Sequence, residues 1–147
     1  MAAMRRASVS WDGDLASGSG VTSGVSSGVF SLLPVSWASR TEDPEDRTSP
    51  EELLAAAHAS CYAMALSGEL GRAGTPPEHL DVTADVTFDK IGDAWTVVSS
   101  ALTVRGRVPG IDAAAFTQAA ETARDGCPIS RALAGNVKLS VEANLES

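Results

Sequence analysis

Thr48-Ser49-Pro50-Glu51-Glu52-Leu53-Leu54-Ala55-Ala56-Ala57-His58-Ala59-Ser60-Cys61-Tyr62-Ala63-Met64-Ala65-Leu66-Ser67 is the stretch around which the rest of the chain must be arranged. Ser49 suits a helix N-cap, and Pro50 suits the first helical position, where its missing N–H costs nothing. Glu51 and Glu52 fall in the first turn, where the helix dipole favours negative charge. The spacing predicts a helix from Pro50 to about Leu70, ended by the Gly71 to Pro77 segment. Leu54, Ala57, Cys61, Met64 and Ala65 recur at helical spacing and read as the inward stripe. The alanine-rich surroundings, Ala55 to Ser60, let another backbone approach closely.

Before this helix, Ala7, Val9 and Trp11 alternate with polar residues, and Val21, Ser23 and Val25 continue the alternation after a Ser/Gly turn. A three-stranded antiparallel meander reaching Trp37 is expected; a flexible Ser/Gly linker is the alternative, and the interleaved valines argue against it. A charged loop fills Ser39 to Thr48. After the helix, Leu80 to Asp89 alternates, Lys90-Ile91-Gly92-Asp93 turns, and Ala94 to Val108 completes a long hairpin. Asp112 can cap a helix from Ala113 to Arg124, Cys127-Pro128 starts a further helical turn, and Asn136 to Leu145 alternates as a last strand. The order is that of an α+β fold with antiparallel pairing, in one domain over residues 1–147 with neither repeat nor linker.

Composition narrows the function. The net charge is -8 and the pI is near 4.6, which argues against a phosphate-binding surface and hence against nucleic acid. The 44% apolar content supports a real core, and with only 5% aromatic residues that core must be mostly Val, Leu, Ala and Ile. No apolar run approaches the roughly 20 residues a bilayer requires, so no membrane partner is expected. Met1 to Gly13 has no apolar segment of the kind that directs export, so a cytoplasmic protein is expected. Two cysteines are too few for a disulfide scaffold or a four-cysteine zinc site.

The two thiols have different local settings. Cys127, between Gly126 and Pro128, lies near the first N–H groups of a helix, which favours a thiolate. Cys61 lies mid-helix with no local feature that favours ionisation, so it needs a cation from elsewhere in the fold. Both could equally be inert, Cys61 as a small core residue and Cys127 as a cap. A zinc site of His58, Cys61, His79 and Cys127 has the right count but lacks a closely spaced cysteine pair. A Cys61–His58 hydrolase lacks a third residue to orient the imidazole.

The Thr48 to Ser67 block, together with Gly126-Cys127-Pro128-Ile129-Ser130-Arg131-Ala132-Leu133, resembles the OsmC proteins and their relatives, the organic hydroperoxide resistance proteins. Trp11-Asp12-Gly13-Asp14, Asp85-Val86-Thr87-Phe88-Asp89-Lys90 and Val108-Pro109-Gly110-Ile111-Asp112 extend the resemblance over nearly the whole chain and lean to the OsmC branch. Ser49 departs from the Asn these proteins often carry, and both residues cap helices well.

The resemblance implies a thiol peroxidase built as an intertwined homodimer, with antiparallel sheets flanking two long central helices. Cys61 matches the peroxidatic cysteine and Cys127 the resolving one, the reverse of the local ranking. Arg40 matches the family's arginine and Glu51 the glutamate that holds it. The implied cycle forms a sulfenic acid at Cys61, then a Cys61–Cys127 disulfide that an external dithiol reduces; in relatives this is often a dihydrolipoyl group on a protein. Leu54, Met64 and Ile129 would favour organic hydroperoxides as substrates. No metal, haem or flavin cofactor is implied. Glu51 and Cys61 are ten positions apart, about 15 Å of helix rise, so Arg40 and Glu51 are expected to serve Cys61 of the partner subunit. A redox sensor and a non-catalytic small-molecule binding protein are the competing readings.

Overall fold

Trp11 faces Gly20 across the first strand pair, and a Cβ on Gly20 would lie 2.7 Å from the indole. Gly20 therefore makes room inside a sheet. The computed structural model describes residues 1–146 and divides into two compact units, Met1–Leu53 and Leu54 onward. The first unit carries β1 (Ser8–Asp12), β2 (Ser19–Ser23) and β3 (Leu33–Val35) as an antiparallel sheet in that order. The third strand is only three residues long and ends before Trp37, where the meander was expected to reach.

The charged segment is not loop throughout, since α1 (Ala38–Thr41) interrupts it. Ser36 and Ser39 exchange side-chain to backbone hydrogen bonds of 3.3 and 3.1 Å, and the Ser39 hydroxyl also donates to the Thr48 carbonyl at 2.7 Å. A helix of four residues is too short to show a period, and these serines support it instead.

The long helix α2 (Pro50–Arg72) begins as expected: the Glu52 N–H donates to Ser49 Oγ at 3.1 Å and Thr48 Oγ1 donates to Glu52 Oε1 at 2.8 Å. Its buried stripe corrects the sequence reading. His58, Tyr62, Leu66 and Leu70 are fully buried, Cys61 is half-buried, and Ala57 and Met64 are exposed. Nearly every position of this helix is apolar or small, so periodicity does not single out one face, and the bulky side chains claim the core.

In the second unit, β4 (His79–Ile91) and β5 (Ala94–Arg107) form the expected hairpin, with a register shift at Thr87/Phe88. Next come α3 (Ala113–Gly126), capped by Asp112 accepting from the Ala115 N–H at 2.8 Å, then α4 (Pro128–Leu133) and β6 (Lys138–Leu145). β6 joins β5 in parallel, from Ser99 opposite Lys138 to Gly106 opposite Leu145, so the β4-β5-β6 sheet is mixed. The antiparallel expectation fails at this strand because the connection from β5 carries two helices, long enough to return the chain to the end where β5 began.

Tyr62, Leu66 and Leu70 pack with Leu102, Val104, Phe116 and Ala120 in the core, where the Tyr62 hydroxyl donates to the Ala120 carbonyl at 2.9 Å. Among the described residues no helix is long and apolar enough to cross a membrane. Gly106 matters for packing: a Cβ there would lie 2.7 Å from Phe116 Cζ and 3.0 Å from Leu80 Cδ2. Gly106→Ala should therefore cost about 1–3 kcal/mol by overpacking, read as a lower urea midpoint at constant slope. An unchanged midpoint would mean that the Phe116 ring moves aside freely.

Candidate active site

Cys127 caps α4 and is fully buried, while Cys61 is half-buried on α2. Both thiols are free, and each is close enough to shift the other's titration. Burial raises the Cys61 thiol above its ordinary value and the contact with Cys127 raises it further, against a smaller opposing effect of the Ile129 N–H. None of these influences is a cation. Burial also pushes Cys127 up, but the Cys61 thiol, the N–H and hydroxyl of Ser130, and the Ile129 N–H outweigh it, so Cys127 is lowered. Within its own unit the pair follows the local ranking, with Cys127 the readier to ionise.

His58 lies one helical turn before Cys61 and is fully buried. Its Nδ1 is 2.7 Å from Ser100 Oγ on β5 and its Nε2 is 2.8 Å from Ser130 Oγ on α4. Burial lowers its pKa, so the neutral imidazole prevails at neutral pH. Both ring nitrogens are committed to serines, which leaves neither for Cys61 and removes the basis of a direct Cys–His hydrolase. The zinc grouping also disperses, since His79 is an exposed β4 residue paired with Asp81 at 3.1 Å. Among the described residues no cluster of three or more His, Cys, Asp or Glu side chains is placed to hold a metal ion.

The first unit holds the expected ion pair. Arg40 Nε donates to both Glu51 carboxylate oxygens at 3.1 and 3.2 Å, and its terminal nitrogen donates to Oε1 at 2.6 Å. The Glu51 side chain is 9% exposed and that of Arg40 27%, so the carboxylate is the buried anchor and the guanidinium keeps an open side. The Arg40 guanidinium carbon also lies 5.5 Å from the centre of the Trp37 ring, a cation–π contact. Beside Arg40 opens a pocket of about 420 Å³ lined by Val9, Trp11, Leu15, Val35, Trp37 and Leu53. It offers an apolar surface next to a permanent positive charge.

The sequence profile of the OsmC-like protein family matches residues 43–142. The chain belongs to the OsmC-like family. It is 42% identical to the peroxiredoxin OsmC of Escherichia coli (strain K12) over 132 residues, covering 90% of this chain and 91% of that one. It is 31% identical to the organic hydroperoxide resistance protein OhrA of Bacillus subtilis over 104 residues, 70% of this chain and 72% of that one. The higher identity and coverage support the OsmC branch. Among solved structures, that of the organic hydroperoxide resistance protein OhrB of Bacillus subtilis superposes with a TM-score of 0.73 at 22% identity, covering 95% of this chain and 98% of that one. The OsmC-like fold anticipated from the two motif blocks is thus the fold the chain adopts.

Of the four site residues named from this resemblance, the structure pairs Cys61 with Cys127 and Arg40 with Glu51. Sequence reasoning missed Trp37 beside Arg40, the apolar pocket, and the Ser100 and Ser130 partners of His58. Trp37 could have been found from its place three residues before Arg40, and Val9 and Trp11 from their strand alternation. Ser100 is far from His58 in sequence and carried no signal.

Proposed function

We propose that this OsmC-like protein is a cysteine-based peroxidase that reduces organic hydroperoxides. The observation that carries the reading is a half-buried and a buried free thiol, Cys61 and Cys127, near enough to shift each other's titration, which allows one to be oxidised and the other to resolve it. The relatives' names, peroxiredoxin and organic hydroperoxide resistance protein, support it. The Cys61 thiolate attacks the outer peroxide oxygen, the O–O bond breaks, and the departing alkoxide takes a proton, giving an alcohol and Cys61 sulfenic acid. Cys127 attacks that sulfur, the S–O bond breaks, and water leaves as the disulfide forms. An external dithiol, such as a dihydrolipoyl group on a protein, returns both thiols.

Because no cation lowers Cys61 within its own unit, the reaction needs one from elsewhere. Arg40, held by Glu51, is the candidate: its guanidinium stabilises the thiolate and the charge on the departing oxygen. Ten residues of α2 separate Glu51 from Cys61, about 15 Å of rise, so the pair acts on Cys61 of the partner subunit in a homodimer. Exposed Met64 and Ala57 on the face of α2 that its own core leaves uncovered fit burial against a second copy. The apolar pocket beside Arg40 suits the alkyl part of an organic hydroperoxide.

Counting free thiols after one equivalent of cumene hydroperoxide tests this. Loss of both thiols per chain, with continued consumption when a dithiol is added, is expected. A binding protein would lose neither thiol, and a sensor would stop after one cycle.

A further inference from the structure

The peroxidase cycle assigns no task to His58, a fully buried titratable side chain of the second unit. His58, Ser100 and Ser130 are each at most 1% exposed and form a continuous hydrogen-bonded line from β5 through α2 to α4. The line does not end at Ser130. That serine lies three residues past Cys127 in the first turn of α4, and its N–H and hydroxyl are among the groups that hold the Cys127 thiol below its ordinary value. The order is therefore Ser100, His58, Ser130, Cys127, with a thiol at one end and a base in the middle.

The hydrogen-bond roles are consistent with proton movement along this line. A neutral His58 with its proton on Nδ1 donates to Ser100 and accepts at Nε2 from the Ser130 hydroxyl, which leaves the Ser130 oxygen free to accept from the Cys127 thiol. If the thiol proton passes to Ser130 as the Ser130 proton passes to Nε2, the result is equally satisfied. The imidazolium donates to both serines and Ser130 donates to the new thiolate. Every buried polar atom keeps a partner before and after.

We propose that Ser130 and His58 form a proton relay that deprotonates Cys127 as it attacks the oxidised Cys61. The proposal rests on the peroxidase reading for its reaction step. Cys61 sulfenic acid and the Cys127 thiol give the disulfide and one water: the S–S bond forms, the S–O bond breaks, and the proton held on His58 returns through Ser130 to the leaving hydroxide. His58 ends neutral, ready for the next turnover. It acts through Ser130 and is a positioning residue, not one that touches the substrate.

The surroundings suit the task. Ser100 faces His58 from β5, Ser130 from α4, and Cys61 follows one turn later on its own helix, with Cys127 at the N-cap of the helix that carries Ser130. Burial is the one resolved influence on its titration, and it keeps the ring in the neutral form that can accept a proton. A bond that merely ties three elements together would not require a titrating side chain, and this difference is what an experiment can read.

The test uses His58→Gln, which can still bond to Ser130 but cannot take a proton at neutral pH, and Ser130→Ala, which breaks the line with a smaller change. After rapid mixing with cumene hydroperoxide, Cys61 sulfenic acid is trapped with a dimedone-type reagent and disulfide closure is followed separately. In both variants sulfenic acid should accumulate and closure should slow by about 10²-fold at pH 7, within the usual contribution of a positioned general base. The rate should recover as pH rises and Cys127 ionises unaided. Closure at the wild-type rate, or slowed equally at every pH, overturns the relay. Absence of any oxidation at Cys61 in the wild type would instead overturn the peroxidase reading. In that case the ultraviolet thiolate titration of Cys127 in a Cys61→Ser background still decides the relay, which requires the titration to move up in both variants and fails if it does not.

Discussion

Replacing Cys61 with Ser should reduce hydroperoxide consumption to the uncatalysed background, whereas Cys127→Ser should still undergo one oxidation per chain and then stall. The difference follows from the order of bond making. A serine hydroxyl at position 61 is not ionised at neutral pH and is a poor nucleophile toward peroxide oxygen, so no intermediate forms. A serine at position 127 leaves the first attack intact but cannot form the disulfide, so the sulfenic acid persists and excess peroxide drives it to sulfinic acid. Mass spectrometry of each variant after one and ten equivalents of hydroperoxide reads the outcome directly. The lowered titration of Cys127 makes the opposite order of attack the chemical rival. If Cys127→Ser lost the first oxidation and Cys61→Ser kept it, the roles would have to be exchanged.

Arg40→Met should slow the first oxidation by about 10²-fold at pH 7, comparable to losing one preorganised donor at a developing charge. Burial and the Cys127 contact raise the Cys61 thiol, so without a cation little thiolate is present at neutral pH. Below its pKa the thiolate fraction grows about tenfold per pH unit, so the deficit should shrink as pH rises, leaving only the part due to charge on the departing oxygen. A rate unchanged at pH 7 would remove Arg40 from the mechanism. Mixing Arg40→Met with Cys61→Ser subunits tests the cross-subunit arrangement. Each mixed dimer then holds one complete site, so equal mixing should restore roughly a quarter of wild-type activity by subunit statistics. Arg40 serving its own chain's Cys61 would restore none.

The fold was legible wherever a local signal was strong. The Ser49-Pro50-Glu51-Glu52 start of α2, the β4–β5 hairpin around Gly92 and the Asp112 cap of α3 each rest on residues adjacent in sequence, and each forms where it was expected. The readings that changed depended on what packs against what. α1 is four residues long and rests on the Ser36–Ser39 exchange. The buried stripe of α2 moved to His58, Tyr62, Leu66 and Leu70 because a helix of mostly apolar or small residues is turned by the volume of its side chains and not by its hydrophobic period. The parallel pairing of β6 was decided by the path through α3 and α4.

The amino-acid sequence alone determined the elements, the family they belong to, and the residues able to do chemistry, because caps, turns and motif blocks act over a few neighbouring positions. Only the tertiary structure decided which of those residues meet. Cys61 and Cys127 are 66 positions apart, and nothing local required their thiols to meet. His58 gains its two serines from β5 and α4, at separations of 42 and 72 residues. Thiol acidity and proton transfer are set by burial and by hydrogen bonds across such distances, and packing supplies both.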